Sequence, residues 1–180
     1  MKSLRVLLPL VLLAFAASAL AQSDAQKSFD ALKTLAGDWQ GPVTVNPPMP
    51  EMSGGSNTMH ISLHVTSRGH ALVHEMQEAG TPLDPAKYDH PVTMMYLDGD
   101  QLNLVHYCDA GNRPHMVARK STDGKTMEFD LVDVSGGNDY GHMQHAVFTI
   151  VDADHHLEDW TYFMPGDKPM HAHFELQRAK

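Results

Sequence analysis

The chain has 180 residues, 13 Lys and Arg against 22 Asp and Glu, a formal charge of −9 and one cysteine. That length supports a single domain with a real hydrophobic core. The acidic balance argues against nucleic acid or an anionic membrane as partner, and the lone Cys108 rules out an internal disulfide.

Residues 1–21, MKSLRVLLPLVLLAFAASALA, carry Lys2 and Arg5, then an apolar run, then the small residues around Ala19-Leu20-Ala21. A spanning helix needs about 20 apolar residues. This run is shorter and ends in a cleavage motif, so it reads as a signal peptide cut after Ala21. The expected product is a periplasmic or secreted domain, residues 22–180, with 11 basic and 22 acidic residues and no membrane insertion after cleavage.

Ser23-Asp24 reads as the cap of a short helix running to Leu35, with Phe29, Leu32 and Leu35 on one face. From Asp38 onward, short runs of period-two alternation recur between Gly, Asp, Pro and Asn clusters. Ten strands are expected: 38–45, 57–67, 71–78, 92–97, 101–108, 115–120, 127–134, 142–151, 156–164 and 170–178. Asp98-Gly99 and Asp123-Gly124 are hairpin turns, and Asp152-Ala153-Asp154 reads as a third. No interval is long enough for a helical crossover. The fold class is therefore all-β, an antiparallel up-and-down β-barrel of about ten strands with a short N-terminal helix. The Pro- and Gly-rich loops 46–56 and 79–91 fall at the barrel ends, where one can cover a cavity mouth.

Alternation also assigns faces. Thr93, Met95 and Leu97 share the more apolar face with Leu102, Leu104, His106 and Cys108, so these turn inward. His60, Ser62 and His64 alternate with Met59, Ile61, Leu63 and Val65 and face outward, as do His171 and His173 against Met170, Ala172 and Phe174. Glu75 alternates against Leu72, His74 and Met76 and is expected outside. If Val151 pairs with His156, then His145 opposes Tyr162, Val147 opposes Trp160 and Thr149 opposes Glu158. That face mixes aromatic and polar groups, the usual lining of a small-molecule pocket. The opposite face, with Phe148, Ile150, Leu157 and Phe163, can equally be the inner one, and patterning leaves the choice open.

Gly37-Asp38-Trp39 resembles the G-x-W signature of lipocalin-like (calycin) barrels. In that superfamily the tryptophan plugs the barrel base and an arginine late in the last strand packs across it. The resemblance implies these structural roles for Trp39 and Arg178. The stretch MMYLDGDQLNLVHYCDAGNRP is likewise similar to secreted bacterial proteins of the lipocalin-like class. Gly37-x-Trp39-x-Gly41 resembles nitrobindin-type haem barrels, whose pattern has a further glycine where this chain has Val43. That likeness implies a late axial histidine, for which His171 and His173 are the only residues at hand.

The leading expectation is a barrel that binds a small, mostly apolar ligand, with His106, Cys108, Met95, Leu104, His145, Trp160, Tyr162 and Glu158 as candidate lining. The alternative is a copper, zinc or haem binder. Thirteen histidines, 12 methionines and the His106-x-Cys108 pair, whose backbones stand ~7 Å apart, supply ligand types for it. A calycin-type enzyme using His106, Glu75 or Tyr162 as acid or base is the third reading. No G-x-S-x-G, H-E-x-x-H, phosphate-binding glycine loop or C-x-x-C occurs, and cofactor, ligand and oligomeric state stay undetermined at this level.

Overall fold

The computed structural model describes residues 22–48, 57–84 and 86–180. The proposed signal peptide and residues 49–56 of the first long loop lie outside the described residues. One helix, α1 (Asp24–Lys33), precedes ten strands. These are β1 (Gly37–Asn46), β2 (Thr58–Thr66), β3 (Ala71–Glu78), β4 (Val92–Asp98) and β5 (Gln101–Tyr107). They continue as β6 (Asn112–Ala118), β7 (Thr126–Gly136), β8 (His142–Ile150), β9 (His155–Met164) and β10 (Lys168–Arg178). Each strand pairs antiparallel with its sequence neighbours, and β1 pairs with β10 to close the barrel. The expected up-and-down architecture is therefore the observed one. Closure leaves no unpaired strand edge.

Ser23 caps α1, its Oγ accepting the Gln26 N–H at 3.2 Å. Phe29 and Leu32 on one helix face, with Leu35 just past its end, are buried, so the helix seals one end of the barrel. Trp39 completes the seal. It is fully buried and its Nε1–H donates to the Leu35 carbonyl at 2.7 Å. The Arg178 guanidinium lies 4.1 Å from the Trp39 ring and donates to the carbonyls of Ala36, Ala153 and Thr34. Trp39 and Arg178 are register partners across β1 and β10, so the two chain ends meet at the base. Gly41 permits that closure, because a Cβ there would stand 1.9 Å from the Glu175 carbonyl oxygen.

One register differs from expectation. In the β8–β9 hairpin Ile150, not Val151, pairs with His156, and Ala146 pairs with Trp160. The Asp152 carboxylate accepts the Asp154 N–H at 2.8 Å and a His155 ring nitrogen, which draws Val151 out of the ladder and into the turn. That one-residue slip exchanges the faces of β8 relative to β9. Ala146, Phe148 and Ile150 share the interior with His156, Glu158 and Trp160.

Candidate functional site

The barrel interior holds an ionisable group where none is cheap to bury. Glu158, on the inner face of β9, is fully buried. Isolating a carboxylate from water costs several kcal/mol unless it is paired and hydrogen-bonded. Here it is both. His74 Nε2 from β3 lies 3.1 and 3.0 Å from its two oxygens. His156 Nε2 lies 3.0 Å from Oε1, and Trp160 Nε1–H donates to Oε2 at 3.0 Å. A carboxylate only accepts, so both Nε2 atoms carry protons here. Burial pushes the Glu158 carboxyl up, but His74 and then His156 outweigh it and hold the group well below the ordinary carboxylate range. Alternation explains the convergence: His156, Glu158 and Trp160 lie two residues apart on one strand, and His74 faces them from across the barrel. His156 also stands edge-on to Trp39 at 4.2 Å, which joins this network to the sealed base.

His106 occupies the next level up. It is buried, its Nδ1 is 2.8 Å from the Thr93 hydroxyl, and its ring centroid is 5.3 Å from that of Trp160. Burial, then His74 nearby, pushes its pKa down to about 3, so the imidazole is neutral. Its Nε2 has no hydrogen-bond partner among the described residues, and the same holds for His74 Nδ1, His156 Nδ1 and Asn112 Oδ1. Four unpartnered buried polar atoms in one barrel call for an explanation.

Partly buried apolar residues occur at both ends, Ala25, Ala31, Leu97, Ala118 and Ile150 on the side of α1 and five more at the opposite end. Val45, Met59, Leu131, Met143 and Ala172 are only partly buried against the core. Cys108 follows β5 and is half-buried, its backbone N–H bonded to the Asn112 carbonyl. Burial above all pushes its thiol up, with Asp89 and Asp109 adding to the shift. Tyr162 donates its hydroxyl proton to the Tyr140 carbonyl at 2.7 Å, and its own ionisation is pushed up by burial and by Cys108. These residues lie at the end of the barrel opposite α1, called here the mouth.

Of the residues expected to line a pocket, Met95, Leu104, His106, Glu158 and Trp160 lie inside, and Cys108 and Tyr162 lie at the mouth. Met95 and Leu104 are register partners deep in packed core. His145 requires correction. It faces outward, paired with Asp130 at 3.2 Å and Glu128 at 3.3 Å, because the hairpin register inverts the expected facing of β8. Three interior polar residues, His74, His156 and Asn112, carry no marker in the sequence. His74 was placed on the correct face by alternation, yet nothing local marks its partner, which is 84 residues away. His156 passed for the start of a strand, and Asn112 for part of a turn.

Among the described residues no group of three or more His, Cys, Asp or Glu side chains could hold a metal ion, so His106 and Cys108 gain no third ligand. Nor do the late histidines fit a haem. His171 and His173 lie outside the barrel, bonded to Thr161 at 3.1 Å and Asp159 at 2.6 Å. No helix among the described residues is long and apolar enough to cross a membrane.

No protein-family model and no curated protein matches this chain. Among solved structures, the crystal structure of Rv2717c from M. tuberculosis is similar, with a TM-score of 0.60 and 15% identity over 85% of this chain and 98% of that one. What is shared is the fold.

Proposed function

We propose that this protein is an exported barrel that binds a small, largely apolar ligand through the end opposite α1. The observation that carries the reading is the asymmetry of the two ends. Phe29, Leu32 and Trp39 close the base with buried side chains, and the half-buried Arg178 packs across Trp39. At the opposite end Val45, Met59, Leu131, Met143 and Ala172 are partly buried, and below them His106 Nε2 and Asn112 Oδ1 are buried without a partner among the described residues. Small-molecule sites combine apolar walls with a small number of oriented polar groups in this way.

The closed antiparallel barrel is itself an architecture suited to holding a ligand. The likeness to lipocalin-like barrels supports the same use, with the Trp39–Arg178 plug at the base. Export rests on the features of residues 1–21.

Native mass spectrometry of residues 22–180, exported to a bacterial periplasm and purified gently, tests the proposal. A stoichiometric organic adduct that leaves on activation is the expected result. A bare polypeptide mass that stays bare after incubation with a library of amphiphiles would overturn it. Bound metal or haem, from cells supplied with both, would replace it with the alternative reading.

A further inference from the structure

Building on that reading, we infer that the ligand is uncharged and ends in a hydroxyl group, an alcohol head on an apolar chain, which enters head first and hydrogen-bonds His106 Nε2 beside Trp160. The first observation is how far solvent reaches into the barrel. On the side of α1 the partly buried inward-facing residues sit at strand ends: Leu97 is next to last in β4, and Ala118 and Ile150 close β6 and β8. From the opposite end accessibility reaches the middle of the strands. Leu131 lies at the centre of β7, paired with the buried Met116, and Ala172 lies midway along β10. Ala172 is the register partner of Trp160, and Ala146 flanks Trp160 on its other side. Two small neighbours leave the indole as the largest side chain at the level that solvent reaches.

A second observation is independent of the first. β5 and β9 are four strands apart around the barrel, yet the ring centroids of His106 and Trp160 are 5.3 Å apart, so His106 reaches across the interior to this level. Its Nδ1 is held by the Thr93 hydroxyl at 2.8 Å. That leaves Nε2, the ring nitrogen farther from the backbone, without a partner in a side chain only 1% exposed. His74 and His156 also keep one unpartnered nitrogen each, but their Nε2 atoms are committed to Glu158, deeper on β9, and His156 packs on Trp39 at the base.

The chemistry of the head follows from these partners. With Nδ1 against a hydroxyl, Nε2 presents either an N–H or a lone pair, according to which way the Thr93 proton points. An alcohol answers both, whereas a carboxylate only accepts and an ammonium only donates. Charge is disfavoured further. Among the described residues no Lys or Arg is buried, so a carboxylate would enter the interior near Glu158 with no counter-charge. An ammonium would find the Glu158 oxygens already taken by His74, His156 and Trp160. Val45, Met59 and Met143, partly buried above this level, offer apolar contact to the chain that follows the head.

The test is calorimetric titration of residues 22–180 with decanol, decylamine and decanoate near neutral pH, three probes with one chain and different heads. Decanol is expected to bind about tenfold or more tighter than either charged probe, since each of those would bury an unpaired charge. Nitrogen-detected NMR of the histidine rings reads the contact itself: at saturating decanol the His106 Nε2 resonance moves and that of His156 does not. His106→Phe keeps a ring against Trp160 and is expected to lower decanol affinity about fivefold to tenfold, the worth of one hydrogen bond. His106→Gln, which keeps a donor and an acceptor, is expected to lose less than about threefold. Both variants are checked for an intact fold by their melting curves, and if either fails to fold the wild-type NMR titration decides. Decylamine or decanoate binding as tightly as decanol, an unmoved His106 Nε2, or unchanged decanol affinity in folded His106→Phe overturns the hydroxyl head while leaving a binding barrel. Binding of none of the three overturns both.

Discussion

At the scale of single residues, the molecule is organised around one buried charge. Glu158 is tolerable inside a barrel because three N–H groups converge on it. Removing its charge while keeping its shape, Glu158→Gln, puts an NH2 donor where one oxygen accepts, so an N–H of His74, His156 or Trp160 loses its acceptor. Breaking a buried ionic cluster in this way costs about 3–5 kcal/mol, measurable by urea unfolding. The sign of the pH dependence follows from its lowered pKa. Between the ordinary value near 4.5 and the folded value, the unfolded state binds more protons than the native one. Stability from this group is therefore complete above about pH 4.5 and is lost as pH falls below it. His106 acts in the same direction at higher pH. Its folded pKa of about 3 lies below the ordinary 6.5, so stability declines as pH falls through that interval. In nitrogen-detected NMR, the His106 ring is expected to keep neutral-imidazole shifts from about pH 8 down to about pH 5. Titration of that ring near its ordinary value would contradict its burial.

At the scale of elements, most of the fold was legible because alternation is a local signal. All ten strands and the helix fall within a few residues of where periodicity places them, and the inward facing of Thr93, Met95, Leu104 and His106 follows from the Asp98-Gly99 turn in either register. What escaped depended on side chains acting on the backbone. The Asp152 carboxylate sets the β8–β9 register, and no hydrophobic pattern reports it. β6 starts three residues early, at Asn112, because Asn112-Arg113-Pro114 has turn composition. Pro114 is tolerated there beside a bulge between His115 and Met116. The Glu158 cluster was half legible: its β9 members share one face, whereas His74 joins only through barrel closure. Closure also makes Gly41 sensitive. Gly41→Ala places a methyl group against the Glu175 backbone, which cannot yield as a side chain can. A loss of about 2–3 kcal/mol is expected, read as a lower midpoint in thermal or urea unfolding. Trp39→Phe removes the bond to Leu35 and weakens the Arg178 contact, for a loss of about 1–3 kcal/mol. Because both act at the base, neither is expected to alter ligand affinity at the opposite end by more than about twofold.

At the scale of the whole molecule, the barrel has a sealed base and a buried polar network above it. The lower levels serve stability and positioning, since Trp160 and His156 tie the network to Trp39. On the proposed function the mouth is where a ligand enters. The most direct test of that division is an amide NMR titration of residues 22–180 with decanol and with decylamine. Saturable shifts centred on Cys108, Asn112, Met143 and Tyr162, with Phe29, Leu32 and Trp39 unmoved, are the predicted result. Shifts confined to α1 and the Trp39 end, or none with either compound, would contradict it.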